Sequence, residues 1–186
     1  MNKRLLPIIE KITELLEKKE HIIIGIDGNC ASGKTTMAAE LSDIFPSTII
    51  HMDDFFLPSN LRSKERYDEI GGNIHYERFL EEVVENQDKD SFFYRIFSCK
   101  EMDYIENVHV KRQPLTIIEG AYSHHPKFSD IYDIKIFSYA DIETQKIRIR
   151  ERNGEEGLEN FVSKWIPLEE RYFNHCHTKE ESQFVI

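Results

Sequence analysis

Gly28-Asn29-Cys30-Ala31-Ser32-Gly33-Lys34-Thr35 reads G-x-x-x-x-G-K-[ST], and this stretch decides the fold. An apolar run, Ile22-Ile23-Ile24-Gly25-Ile26, precedes it with the character of a buried strand, and Thr36-Met37-Ala38-Ala39-Glu40-Leu41 follows it as a helix. The motif has meaning only in such a strand–loop–helix setting. Its glycines let consecutive backbone N–H groups turn inward on an anion. The helix N-terminus behind them adds partial positive charge. Gly28, Asn29, Cys30, Ala31, Ser32, Gly33, Lys34, Thr35 and Thr36 are therefore the expected phosphate-contacting set, with Lys34 bridging the outer phosphates and the Thr35 hydroxyl available to Mg²⁺.

Outward from the loop, strands and helices alternate. Apolar runs at residues 48–52, 115–118 and 134–139 read as further strands, and residues 182–186 as a last one. Leu5, Leu6, Ile8, Ile9, Ile12, Leu15 and Leu16 recur at helical spacing, which predicts an amphipathic first helix. Helical spacing also covers residues 34–44, 76–85, 141–152 and 158–175, while residues 92–97 and 102–112 suit a hairpin. Residues 59–72 are polar without a clean period, and Gly71-Gly72 reads as a flexible joint. This order predicts an α/β phosphate-loop NTPase fold: three α/β/α layers around a mostly parallel five-stranded sheet. The expected organisation is one domain over residues 1–186, with a substrate-side insertion near 59–112 and a helical lid near 148–160.

Composition narrows the partners. A net charge of −10 makes a general nucleic-acid or anionic-membrane binder a poor expectation, so a bound polyphosphate must meet a local cationic site. The opening residues turn charged too early for a signal peptide, and no apolar run reaches membrane-spanning length. The three scattered cysteines, Cys30, Cys99 and Cys176, argue for a reducing, cytoplasmic compartment rather than a disulfide framework. A homo-oligomer is compatible with all of this.

Ligands in parallel α/β folds bind beyond the carboxyl ends of the strands, and several candidate residues fall there. Glu119 ends a strand where a carboxylate can hold Mg²⁺ directly or through water. Asp53 and Asp54 follow the second strand. Successive strand side chains point to opposite faces, so one of the two is expected in the cleft, beside the metal and able to orient an attacking hydroxyl. Arg148 and Arg152, four apart on one helical face, can neutralise charge on a transferring phosphoryl group from a movable lid. Arg150 is the weaker third. Tyr122 and His124, after the Glu119 strand, are candidates to touch substrate, against a plain surface-loop role for the histidine. His175-Cys176-His177 is spaced wrongly on a helix for zinc, Phe161 and Trp165 suit a core better than a stacking platform, and Cys30 has the setting of a reactive thiol near a helix N-terminus.

Five segments carry a resemblance, of which Gly71-Gly72-Asn73 to Phe79 and Arg152-Asn153-Gly154 through Trp165-Ile166-Pro167-Leu168-Glu169 look like a bacterial branch commonly labelled uridine kinase. Residues 25–36, Asp53-Asp54-Phe55-Phe56-Leu57-Pro58 and Ile117-Ile118-Glu119-Gly120 resemble the uridine kinase family, within the wider group that includes phosphoribulokinase and nicotinamide riboside kinase. The resemblance implies ATP and Mg²⁺ as cofactors and a nucleoside-like small molecule as substrate. It implies Asp53 as the group activating a ribose 5′-hydroxyl, Glu119 as a catalytic carboxylate near the metal, and Tyr76-Glu77 as the pair holding the ribose hydroxyls. Glu77 stands where that family has Asp, and Arg148-Ile149-Arg150-Glu151-Arg152-Asn153 departs from its lid pattern. No counterpart of its pyrimidine-reading residues is found. Other acceptors therefore stay open: nicotinamide riboside, pantothenate, or a sugar phosphate for which Arg66, Arg78 and Arg95 are available. A regulatory nucleotide-binding module is the rival from another class, although the Asn-Lys-x-Asp guanine motif is missing.

Overall fold

The computed structural model describes residues 2–186. Its strands are β1 (Ile22–Gly28), β2 (Ser47–His51), β3 (Ser91–Ser98), β4 (Asp103–Lys111), β5 (Leu115–Glu119), β6 (Ile134–Ser138) and β7 (Phe184–Val185). Its α-helices are α1 (Leu6–Leu16), α2 (Lys34–Ser42), α3 (Lys64–Asp68), α4 (Tyr76–Glu82), α5 (Ile142–Asn160) and α6 (Ile166–Cys176). Five strands form one parallel sheet in the order β2-β5-β1-β6-β7. β3 and β4 pair separately as an antiparallel hairpin.

β1 is the central strand, and all seven of its residues are buried. Side-chain alternation divides its isoleucines between two cores. Ile22, Ile24 and Ile26 join Leu115, Ile117, Ile134 and Ile136 beneath α1 and α2. Ile23 joins Ile50, Ile118 and Phe137 on the opposite face, under α4, α6 and the hairpin. Two covered faces make the three layers expected, and near-continuous apolar strands are what such burial requires. The insertion is packed into this second core: Phe79 of α4 meets Phe55 edge-on at 5.0 Å, and Tyr94 of β3 stacks on Phe55 at 5.3 Å.

Local differences from the sequence expectations have physical causes. The stretch read as aperiodic holds α3, whose five residues are too few to display a period; the Ser63 hydroxyl caps it by accepting from Arg66 N–H. α5 starts at an Asp141 cap and runs past residue 152 to Asn160, interrupted at Gly154, which has φ 74 and ψ −177. Residues Phe161–Trp165 then form a π-helical turn that leads into α6.

Candidate active site

At Gly28 the chain leaves β1 with φ 134, and an added Cβ would lie 2.0 Å from the Ser138 carbonyl oxygen, so only glycine fits. Gly33, at φ 102, turns the loop into α2. The Lys34 ammonium donates to the carbonyls of Gly28 and Asn29, each at 2.8 Å. Cys30 through Thr36 line a cavity of about 880 Å³. Gly28 and Asn29 lie beneath it as braces: Asn29 Oδ1 accepts from Ala140 N–H at 3.3 Å and its amide donates to Glu170 at 3.3 Å.

The strand-tip acids meet this loop. His51 and Glu119 are register partners on adjacent parallel strands, which sets their side chains side by side, with His51 Nδ1 2.6 Å from Glu119 Oε1. The same oxygen accepts from the Thr35 hydroxyl at 3.1 Å. Hydrogen bonding to the buried Glu119 carboxylate raises the His51 pKa against its own partial desolvation. Asp53 lines the cavity and Asp54 does not. The cause is a 3₁₀ turn over Met52–Phe55, not strand alternation: Met52 and Phe55 face the core, leaving Asp53 on the cleft and Asp54 accepting from Tyr94 Oη at 3.0 Å. Crowding by the cleft walls pushes the Asp53 carboxyl up, with Glu119 adding and Lys34 opposing. Its side chain is open to the cleft's solvent, which damps the push.

Arg148 and Arg152 both reach the cavity, the first donating to the Ala31 carbonyl at 2.9 Å. Arg150 points elsewhere and pairs with Glu155 at 2.6 Å. Tyr122 lines the cavity, buried and at φ 72.

Other expectations need correction. His124 lies under β1, its ring against Gly25 and Tyr132, away from the cavity. Tyr76 and Glu77 are not in the lining either; both Glu77 oxygens accept from the Arg66 guanidinium, at 2.7 and 2.8 Å, and the Tyr76 hydroxyl donates to Glu69. Arg78 and Arg95 are likewise committed, to Glu82. The Cys30 thiol is pushed up to about 12 by burial and by Glu169, so it is inert at neutral pH. Phe161 and Trp165 are only partly buried and line the cavity, because the π-helical turn carries both toward it; Trp165 stands 6.4 Å from Phe56 across the opening.

Two buried acids had no role assigned from the sequence. Asp27 accepts from Gly28 N–H, Tyr122 N–H, His124 N–H and the Tyr172 hydroxyl, and thereby ties β1 to the segment after β5. Glu169 comes from α6 to the cavity, where Oε2 accepts from Cys30 N–H at 2.9 Å; burial raises its pKa to about 7 against the pull of Lys34. Before Asp27 lies a run of isoleucines and around Glu169 a helix rich in acids, so nothing along the chain marks either as a site residue.

The oxygen donors fit a hard cation. Among the described residues no three His, Cys, Asp or Glu side chains gather as a metal cage. Mg²⁺, however, keeps several waters and needs only one or two carboxylates with a hydroxyl. Thr35, Glu119 and Asp53 supply that set on one cavity. Among the described residues no helix is long and apolar enough to cross a membrane.

No protein-family model matches the chain. It is 28% identical over 145 residues to a uridine kinase of Clostridium botulinum, covering 70% of this chain and 68% of that protein. The solved structure of a possible uridine kinase from Bacillus stearothermophilus aligns over 97% of this chain and 100% of its own, with a TM-score of 0.69 at 16% identity. The D-glycerate 3-kinase of Cryptococcus neoformans var. grubii aligns over 90% and 88%, with a TM-score of 0.59 at 13% identity. At such identities the structural likeness carries the fold.

Proposed function

Taking as premise that the chain is a uridine kinase-like P-loop kinase, a phosphotransferase with an alcohol acceptor, we propose that it transfers the γ-phosphate of ATP, with Mg²⁺, to the 5′-hydroxyl of a nucleoside. One observation carries this: the loop with Lys34 and Thr35, the carboxylates Asp53 and Glu119, and the arginines Arg148 and Arg152 all line a single cavity. A loose phosphoryl-transfer transition state asks for positioning and charge neutralisation more than for a strong base.

In this reading the N–H groups of Ala31 to Thr35 and the Lys34 ammonium hold the β- and γ-phosphates. Asp53 accepts the hydroxyl proton of the acceptor and keeps its oxygen in line. Thr35 and Glu119 hold Mg²⁺, whose charge offsets that of the phosphates. Arg148 and Arg152 cover the transferring group and exclude water. Arg66, Arg78 and Arg95 are committed to carboxylates, which leaves Arg62 as the arginine of the insertion that lines the cavity. Uridine and cytidine are the first candidates because the sequence relatives are uridine kinases. Three free cysteines fit the cytoplasm.

The test is a panel of alcohols incubated with γ-labelled ATP and Mg²⁺: nucleosides, nicotinamide riboside, pantothenate, glycerate and a sugar phosphate. Label transfer to a nucleoside at a kcat/KM at least tenfold above the other acceptors is the expected result. Transfer confined to a non-nucleoside would reject the acceptor assignment. ATP hydrolysis with no transfer to any alcohol would reject the kinase.

A further inference from the structure

Each oxygen of Glu77 accepts from Arg66, and neither residue is in the cavity lining. Another set of polar groups lines the cavity. Glu169 is 7% exposed, and its Oε2 accepts from Cys30 N–H. Tyr122 is 2% exposed, and its hydroxyl makes no well-aligned hydrogen bond among the described residues. The side chain of Asn73, itself buried, lies beside that hydroxyl, and all three residues line the cavity that Asp53 also lines.

A buried phenol with only the Asn73 amide within reach keeps hydrogen-bonding capacity unused, which a bound group can complete. Tyr122 carries a second sign. Its backbone sits at φ 72, a conformation that costs a bulky residue of order 1–3 kcal/mol, and Asp27 Oδ1 holds it there by accepting its N–H at 3.1 Å. The phenol lies within the field of the Glu169 carboxylate, and burial with that charge pushes it well above the ordinary tyrosine value. It is therefore a neutral O–H at any working pH, able both to donate and to accept.

A carboxylate, a neutral phenol and a primary amide supply acceptors and donors without a cation. That combination matches two adjacent hydroxyls, each of which donates once and accepts. It does not match a phosphate. We propose that Glu169, Tyr122 and Asn73 form the pocket for the hydroxyl-bearing ring of the acceptor, a neutral vicinal diol of the ribose type, and that Glu169 selects for it. This rests on the kinase reading above and assigns the acceptor subsite to α6 and the segment after β5, not to α4.

The test compares a ribonucleoside with its 2′-deoxy counterpart in the wild type and in Glu169→Gln, Tyr122→Phe and Asn73→Ala. A site built around a substrate hydroxyl rejects the analogue lacking it by a large factor. The wild type is expected to prefer the ribonucleoside by about 10²-fold or more in kcat/KM. In the variants that ratio falls below about tenfold, chiefly through a higher acceptor KM, while the KM for ATP stays within about twofold. Tyr122→Phe removes one oxygen and leaves the loop contact intact, so it answers even where Glu169→Gln disturbs the loop. An unchanged ratio in all three variants overturns the pocket, as does a wild-type ratio near one. A ratio that collapses only in Glu77→Gln returns the diol to α4. A wild type that phosphorylates no alcohol removes the kinase reading and the pocket with it, an outcome distinct from the others.

Discussion

The Thr35 hydroxyl donates to Glu119 Oε1 at 3.1 Å, joining the first turn of α2 to the tip of β5. Two chain segments 84 residues apart thus bring a hydroxyl and a carboxylate to one point, the chemistry a magnesium ion needs. Glu119→Gln keeps the volume and the acceptor for Thr35 but removes the charge. The expected outcome is a loss of about 10²-fold in kcat and a Mg²⁺ half-saturation raised roughly tenfold. Stripping the protein with EDTA abolishes turnover, and titrating Mg²⁺ back restores it. Wild-type magnesium dependence in Glu119→Gln would exclude Glu119 from the metal site.

Asp53→Asn separates proton acceptance from nucleotide binding. The turn over Met52–Phe55 is held by the buried Met52 and Phe55, so the amide takes the place of the carboxylate without moving the backbone. The expected loss in kcat is on the order of 10²–10⁴, with the dissociation constant for ATP within about twofold of wild type. Pre-steady-state label transfer and equilibrium nucleotide titration measure the two quantities. Near-normal turnover rejects Asp53 as the group that orients the hydroxyl.

How much of this site could be read beforehand depended on whether local rules decided it. The loop was legible because positive φ at Gly28 and Gly33 and the helix behind them are requirements of the backbone itself. Asp53 and Glu119 were legible because strand ends are recognisable and both acids follow apolar runs. Strand alternation predicts only that one of Asp53 and Asp54 enters the cleft, and the family resemblance picks Asp53; a 3₁₀ turn is what sets it there. Glu169 was not legible: it arrives from 139 residues away in sequence to accept from Cys30 N–H, and in its own helix it looks like any solvated glutamate. Glu77 failed for the converse reason, since nothing in its neighbourhood along the chain announced that Arg66 would fold back onto it.

The position of Glu169 has a thermodynamic signature. Its folded pKa is raised from 4.5 to about 7, chiefly by burial, so the native state binds a proton that the unfolded chain releases at lower pH. The sign follows: the contribution to stability is fully present below about 4.5 and is lost as pH rises through about 7. Glu169→Gln cancels that dependence. Relative to wild type it is expected to be neutral near pH 4.5 and more stable at pH 8 by on the order of 2 kcal/mol. Urea unfolding at the two pH values measures it. A difference between the two proteins that does not change with pH would mean that Glu169 titrates normally.

Arg78 tests whether the cleft acids depend on the insertion. Its guanidinium is 2% exposed and lies over the Phe55 ring at 4.2 Å; it donates to Glu82, to the Arg95 carbonyl and to the Asp54 carbonyl. One buried cation therefore joins α4, β3 and the turn that presents Asp53. Removing one partner from a buried charge network costs about 3–5 kcal/mol, and Glu82 keeps Arg95, so the lower part of that range applies. Arg78→Met is expected to lose about 3 kcal/mol, a fall in Tm of roughly 6–12 °C for a chain of this size. Lysine cannot restore it, because a single ammonium cannot donate in three fixed directions as the planar fork does. At a temperature where Arg78→Met remains folded, kcat is also expected to fall about tenfold with the KM for ATP unchanged, since the Asp54 carbonyl loses its tether next to Asp53. Full kcat in the destabilised variant would show that β2 and the core hold Asp53 in place without the insertion.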